Sequence, residues 1–139
     1  MKKAWLLIII FSTVSCGDTV ESKDLEYLDG YWEISEVEMP DGQTREYKAS
    51  TTVDYISLDG REGYRKKVQP SLSGTYTTSD DAVSLTITEK EGVFYINYQE
   101  AGNYWSERIN KLQPGTLEVV NEEQVVYRYK RYEPINIQK

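Results

Sequence analysis

The segment AVSLTITEKEGVFYINYQ, residues 82–99, shows the fold class most directly. Its first half alternates apolar Val83, Leu85 and Ile87 with polar residues, which is the two-residue period of a strand with one buried face. Gly92 then marks a turn, and the second half is rich in aromatic and β-branched side chains that favour strands. The segment is therefore predicted to form two strands joined by a turn.

Strand signals of the same kind recur along the chain, and no segment keeps an apolar period of 3.6 residues. Short strands separated by turn residues indicate a sandwich or a barrel, and successive hairpin turns favour an up-and-down meander. Because closure removes the exposed edges of a meander, we predict an all-β fold in which eight or nine antiparallel strands form a small closed barrel. The predicted strands cover residues 31–39, 52–58, 63–68, 72–78, 82–88, 93–99, 104–112, 116–120 and 124–132.

The composition excludes several kinds of chemistry. The 139 residues include no histidine and one cysteine, so a histidine-centred triad, a histidine-ligated zinc site and an internal disulfide are excluded. A net charge of −7 argues against nucleic-acid binding, which depends on basic residues. Twelve tyrosines supply large side chains for a core that has few aliphatic residues. We predict a binding protein and not an enzyme, with no catalytic residue, metal or cofactor.

The N-terminal residues follow the order of a secretory signal. Lys2 and Lys3 precede the apolar run 4–11, and small residues follow before Cys16. The apolar run has eight residues, whereas a helix needs roughly 20 to cross a bilayer. We therefore predict a cleaved signal peptide over residues 1–15 and no transmembrane helix in this region.

The stretch Thr13-Val14-Ser15-Cys16 resembles the bacterial lipobox, although Thr13 stands where leucine is usual. The resemblance implies that Cys16 becomes the first mature residue and carries acyl chains such as palmitate. The expected location is the lipid bilayer of the cell envelope, in the outer membrane of a Gram-negative bacterium. Residues 16–28 are then expected to be the lipidated cysteine and an acidic tether, or alternatively a sorting tag. The competing interpretation is a soluble secreted protein with an incidental cysteine.

The stretch LDGYWEI, residues 28–34, resembles the opening of lipocalin-like domains, which begin with Gly-x-Trp on the first strand. In this chain that motif is Gly30-Tyr31-Trp32. The resemblance implies a barrel whose Trp32 plugs one end while a basic residue of the last strand packs over it. The candidates for that residue are Arg128, Lys130 and Arg131, and Arg128 is favoured.

Four tyrosines, Tyr76, Tyr95, Tyr127 and Tyr129, lie in phase with apolar neighbours and are predicted to point into the barrel. They either pack the core or line a cavity for a ligand. The basic stretches 61–67 and 128–131 either face solvent or contact an anionic ligand. The paired carboxylates at 80–81 and 122–123 lie at predicted turns, where acidic residues are common, and are not assigned a catalytic role.

These observations lead to a function hypothesis with one alternative. The first is a membrane-anchored, lipocalin-like lipoprotein that binds a small hydrophobic or amphipathic ligand. The alternative is an envelope protein-interaction module, of an accessory, inhibitor or immunity type, with a packed, ligand-free barrel. The predicted organisation is a signal peptide over 1–15, the lipidated tether over 16–28, the barrel domain over 29–133 and a tail over 134–139.

Overall fold

The computed structural model of the protein describes residues 19–48, 52–70, 76–78 and 81–133, with 76–78 described by their backbone alone. Hydrogen-bonded strands account for most of these residues, as the alternating apolar pattern predicts. In chain order the elements are a 3₁₀ helix Ser22–Leu28, β1 Gly30–Glu38, β2 Thr44–Glu46, β3 Val53–Asp59, β4 Glu62–Pro70, β5 Tyr76–Thr78, β6 Val83–Lys90, β7 Val93–Glu100, β8 Asn103–Gln113, β9 Thr116–Asn121 and β10 Val126–Arg131.

Eight of these strands close into an antiparallel barrel, which confirms the predicted fold class. Their order is β1, β3, β4, β6, β7, β8, β9 and β10, and β10 pairs again with β1. The closing register runs from Trp32 opposite Arg131 to Glu38 opposite Val126. The short strand β2 pairs with the C-terminal end of β1, at residues 36–38. The short strand β5 pairs with the C-terminal end of β4, at residues 68–70. Closure satisfies the backbone groups that an open meander of this length leaves at its two edges.

Each of the nine predicted strands overlaps an observed strand. Strand β2 was missed because its three exposed residues, Thr-Arg-Glu, carry no apolar alternation. Of the predicted strand 72–78, the described part is β5, and residues 72–75 lie outside the described residues. The signal peptide, Cys16 and the tail over 134–139 also lie outside them.

One end of the barrel, which we call the closed end, is covered by the 3₁₀ helix. Its Leu25 and Leu28 are 5% and 0% exposed, and both belong to the apolar core. Val20, just before the helix, also packs against this core. The interpretation of residues 16–28 as an acidic tether is therefore wrong from Val20 onward. The acidic residues lie on the outer side of this segment, while its two leucines supply the apolar contacts.

Trp32 fills the interior beneath this helix. Its side chain is 0% exposed, and its indole Nε1 donates a hydrogen bond to the carbonyl oxygen of Leu28 at 2.9 Å. This bond satisfies the one polar group of the buried indole ring. The Gly-x-Trp motif thus joins the first strand to the covering helix.

Arg131, and not the favoured Arg128, covers Trp32. The guanidinium carbon of Arg131 lies 4.0 Å from the centre of the Trp32 ring. Its nitrogens donate hydrogen bonds to the carbonyl oxygens of Tyr27, Asp29 and Pro114. The reason is the two-residue period of β10, since Arg131 shares the inward face of Tyr129 while Arg128 points outward.

Gly30 is required by this arrangement. Its φ of +127° is a backbone conformation that residues with a side chain rarely adopt. A Cβ added at this position would also collide with Nη1 of Arg131. The first residue of the Gly-x-Trp motif therefore gives Arg131 its space, and the third supplies the ring on which Arg131 lies.

Arg128 instead lies on the outer wall, at the seam between β1 and β10. It donates hydrogen bonds to Glu118 at 2.9 Å, to Glu36 at 3.0 Å and to Glu38 at 2.7 Å. These hydrogen bonds, above all those that Glu38 and Glu118 accept, raise the pKa of Arg128 above its ordinary value. The guanidinium of Arg128 on β10 thus binds carboxylates from both neighbouring strands, two from β1 and one from β9.

We expect Arg128→Met to lower the free energy of unfolding by about 1–2 kcal/mol, because three carboxylates then repel one another, an effect that solvent screening keeps modest. The measurement is urea denaturation at low salt. Raising the ionic strength should reduce the difference from wild type, since salt screens exposed charges. The matched control is Lys130→Met, whose ion pair with Glu33 spans 3.8 Å. Equal losses for the two variants would contradict the proposed role of Arg128.

A charged ligand site at the open end of the barrel

The four tyrosines predicted to point inward divide into different groups. Tyr129 is 7% exposed and belongs to the core, and Tyr127 is partly buried and packs against it. The prediction for Tyr95 is wrong, because Phe94 and Ile96 take the inward face of β7 and leave Tyr95 on the outer wall. The backbone of Tyr76 lies in β5, but its side chain is outside the described residues.

The interior near the other end of the barrel, which we call the open end, contains a buried arginine. Arg65 of β4 donates hydrogen bonds to the hydroxyl oxygens of Tyr98 at 2.7 Å and Tyr129 at 2.9 Å. It also donates to Asp54 Oδ2 at 2.9 Å and lies 3.6 Å from Glu107 Oε2. Tyr98 in turn donates to Glu107 at 3.1 Å. We call these five residues the Arg65 cluster.

The Arg65 cluster is largely shielded from solvent, so its charged groups are stabilised mainly by one another. The side chain of Arg65 is 14% exposed, and those of Asp54 and Glu107 are 5% and 12% exposed. Burial opposes charge on Arg65, but the tyrosines and carboxylates around it raise its pKa well above the ordinary value. Arg65 is therefore a fixed cation inside the barrel.

The two carboxyl groups of the cluster differ in acidity. Burial opposes ionisation of Asp54, but Arg65 and Lys67 outweigh it, and the pKa of Asp54 is lowered. For Glu107 burial prevails over Arg65 and Tyr98, and its pKa is raised. Burial also raises the pKa of Tyr98, which keeps its proton and remains a hydrogen-bond donor.

Lys67 completes the charge balance from the surface. Its Nζ lies 2.7 Å from Asp54 Oδ1, although the angles are not those of a hydrogen bond. The side chain of Lys67 is 65% exposed, whereas that of Asp54 is 5% exposed. The second oxygen of a buried carboxylate is thus neutralised by a surface side chain that reaches in from solvent.

A cavity of about 210 Å³ opens above this cluster. Its floor is charged and includes Asp54 and Arg65, and its apolar wall includes Val83, Tyr98 and Trp105. The rings of Tyr98 and Trp105 stack at 5.4 Å with an interplanar angle of 20°. The volume is below the roughly 300–1,000 Å³ typical of pockets for drug-sized ligands. This cavity can therefore hold a small molecule that has both an apolar and a charged part.

The outer wall has larger depressions. One of about 500 Å³ is lined by Tyr95, Arg108 and Val120 among others, and lies across β6 to β9. Arg108 donates a hydrogen bond to Asn110 at 2.9 Å there. Within the described residues no group of acidic side chains is arranged to hold a metal ion. The described ranges also contain no helix with the length and apolar character to cross a bilayer.

Sequence reasoning did not find the Arg65 cluster as a site. The basic stretch 61–67 indicates contact with an anionic ligand as one alternative, and its sequence does not distinguish Arg65 from its neighbours. Asp54 occurs in phase with apolar Ile56 and Leu58 on β3, and this was the available signal. A charged residue on the inward face of a predicted strand requires a partner of opposite charge, and Arg65 is that partner.

A closed eight-stranded antiparallel barrel with one covered end and a cavity at the other defines a ligand-binding type of β-barrel. The model of the lipocalin-like domain family matches residues 28–119, and the chain belongs to this family. A crystal structure of a lipocalin-like protein from Bacteroides uniformis ATCC 8492 is similar, with 10% identity and a TM-score of 0.48 over 76% of this chain and 99% of that one. No curated protein matches the sequence.

Proposed function

We propose that this protein is a lipocalin-like lipoprotein of the cell envelope that binds a small amphipathic ligand at the open end of its barrel. The observation that carries the proposal is the cavity of about 210 Å³ above the Arg65 cluster. The stacked Tyr98 and Trp105 rings offer an apolar wall, and the floor offers charged groups that are already desolvated. Such groups orient a ligand strongly, because competing water is excluded.

The rest of the interior supports a small ligand rather than a long-chain lipid. Trp32, Leu28 and Leu117 are at most 1% exposed and fill the barrel beneath the cluster. In the part of the barrel that the structure describes, these side chains occupy the space that a long acyl chain would need. The ligand is therefore proposed to lie at the open end and not along the barrel axis. Binding, and not catalysis, is the proposed activity.

Native mass spectrometry of the mature chain after gentle extraction tests ligand binding. The expected result is a small molecule that co-purifies with the protein at one to one. A Trp105→Ala variant, which removes the apolar wall, should lose that molecule, while Tyr95→Ala on the outer wall should keep it. A wild-type protein that carries no small molecule and takes up none would contradict the proposal.

The anchor is proposed to be acyl chains on Cys16, as the lipobox resemblance implies. The expected result for Cys16→Ala is release of the protein from the membrane fraction, because the bilayer contact depends on buried acyl CH₂ groups. Fractionation of the producing cells measures this. A variant that stays with the membrane would show that the anchor is elsewhere.

A second candidate function is binding to another envelope protein. The observation that favours it is the exposed Tyr104, whose side chain is 71% exposed at the start of β8, beside Trp105. Tyrosine and tryptophan are enriched in protein interfaces. The same mass spectrum separates the two candidates, since a stoichiometric protein partner in place of a small molecule would favour this one.

A further inference from the structure

Asp54 Oδ1 is a buried acceptor without a hydrogen-bond donor. Asp54 is 4% exposed and forms part of the cavity floor. Its Oδ2 is held by the fixed guanidinium of Arg65, but its Oδ1 has only the ion pair with Lys67. Buried carboxylate oxygens are normally hydrogen-bonded, and the Lys67 ammonium contacts this oxygen at 2.7 Å without the geometry of a hydrogen bond, so a better-aligned donor would be favoured here.

The charges around the cavity indicate which ligand would supply that donor. The lining of the cavity contains three basic and three acidic residues, whose formal charges cancel. They are Arg65, Lys66 and Lys67, and Asp54, Asp81 and Glu107. The ammonium of Lys66 is drawn away, since it lies 5.6 Å from the centre of the Tyr64 ring on the outer wall. Lys67 is thus the exchangeable cation at Asp54, because 65% of its side chain already lies in solvent.

An anionic ligand and a cationic ligand have different consequences at this position. An anion that attracts Lys67 away leaves Asp54 to Arg65, which also faces Glu107, so the buried carboxylates are less completely neutralised. An anion that competes for Arg65 must separate that side chain from the Asp54 and Glu107 carboxylates. An ammonium that takes the place of Lys67 preserves the charge balance and can add the missing hydrogen bond.

We propose that the ligand is a small cationic amphiphile, in which an ammonium replaces Lys67 at Asp54 Oδ1. Its apolar or aromatic body lies against Val83 and Trp105, and the cavity of about 210 Å³ limits that body to about one ring. The inference rests on the proposed ligand-binding function and names the chemical class of its ligand. Lys67 then acts as a built-in competitor that holds the site neutral when the ligand is absent.

Isothermal titration of the mature protein with three molecules of matched shape tests the ligand class. These are 2-phenylethylamine, 2-phenylethanol and 3-phenylpropionate, which place a cation, a neutral group or an anion on the same ring. The amine is expected to bind at least about tenfold more tightly than the carboxylate, a difference of about 1.4 kcal/mol. Preferred binding of the carboxylate would overturn the inference.

The variant Lys67→Met tests the competition directly, since it removes the ammonium and keeps the apolar stem. We expect it to bind the amine about fivefold more tightly, because the competing occupant of Asp54 is gone. The control is Lys130→Met, an exposed lysine with an ion pair on the outer wall, which should leave the affinity unchanged. Weaker amine binding by Lys67→Met would also overturn the inference.

The outcomes separate this inference from the function on which it rests. An anionic molecule found in the native mass spectrum would overturn the cationic class and leave ligand binding in place. Failure of all three molecules to bind, together with an empty native mass spectrum, would overturn both.

Discussion

Trp32→Ala is expected to lower the free energy of unfolding by about 3–5 kcal/mol, the range for removing a large buried aromatic side chain. Trp32 is 0% exposed, and its loss would leave a cavity between the 3₁₀ helix and the barrel. It would also leave the Leu28 carbonyl oxygen without its donor and Arg131 without the ring beneath its guanidinium. Thermal unfolding should show a fall in Tm of more than about 10 °C.

Two further variants make this prediction specific to the plug. Tyr104→Ala removes an aromatic ring that is 71% exposed, and should change stability by less than about 0.5 kcal/mol. Trp32→Phe keeps a ring in the cavity and loses the indole N–H. Its free energy of unfolding should therefore lie between those of wild type and Trp32→Ala. If Trp32→Ala and Tyr104→Ala were equally stable, Trp32 would not close the barrel.

Arg65→Met is expected to destabilise the protein at neutral pH by about 3–5 kcal/mol, because it removes the positive partner of two buried carboxyl groups. Methionine keeps the apolar stem of the side chain, so the loss comes mainly from the missing charge and its hydrogen bonds. The control is Arg45→Met on the exposed strand β2, which should be close to wild type. A variant that also carries Asp54→Asn and Glu107→Gln should recover much of the stability, since neutral amides need no counter-charge.

The destabilisation by Arg65→Met should depend on pH in a defined direction. Without Arg65, burial raises the pKa of Asp54 and Glu107 in the folded protein above their values in the unfolded chain. The folded state then binds more protons than the unfolded state, so its free energy of unfolding rises as the pH falls. In wild type the raised pKa of Glu107 acts in the same sense but is held down by Arg65, and the lowered pKa of Asp54 acts in the opposite sense.

The stability difference between wild type and Arg65→Met should therefore shrink as the pH falls from 7.5 to 5. This range extends toward 4.5, the ordinary pKa of a glutamate such as Glu107. Urea denaturation at several pH values measures it. A difference that stays constant or grows on acidification would show that the buried carboxylates are not the cause of the loss.

The fold could be predicted from the sequence because the barrel depends on local patterns. Alternation such as Val83, Leu85 and Ile87 fixes which face of a strand is buried, and turn residues fix where each strand ends. The Gly30 and Trp32 motif then indicated the family and the plug. These signals are contained in short stretches of chain and do not depend on how distant strands are paired.

The basic partner of Trp32 and the ligand site could not be predicted in the same way, because they depend on register. Arg128 and Arg131 differ by three positions, so a choice between them requires the phase of β10 relative to the interior. The bulge between Ile34 and Glu36 on β1 further shifts the pairing with this strand. Sequence periodicity does not reveal such a one-residue insertion.

The Arg65 cluster was hidden for a related reason. Its members lie on β3, β4, β7, β8 and β10, and they meet only because the barrel closes. Asp54 and Arg65 each resemble ordinary polar strand residues when they are considered one at a time. Tyr95 was placed inside the barrel because it lies in an apolar run, where alternation gives no phase.

The packing of Val20 against the core limits how far the barrel can lie from the proposed lipid anchor at Cys16. Two residues, Gly17 and Asp18, separate Cys16 from Thr19, and three fully extended steps of chain span about 11 Å. Val20 lies beside Gly92 and Phe94, at the closed end. With acyl chains on Cys16, that end would rest near the lipid headgroups and the cavity would face away from them. Ligand would then exchange with the aqueous compartment and not with the bilayer.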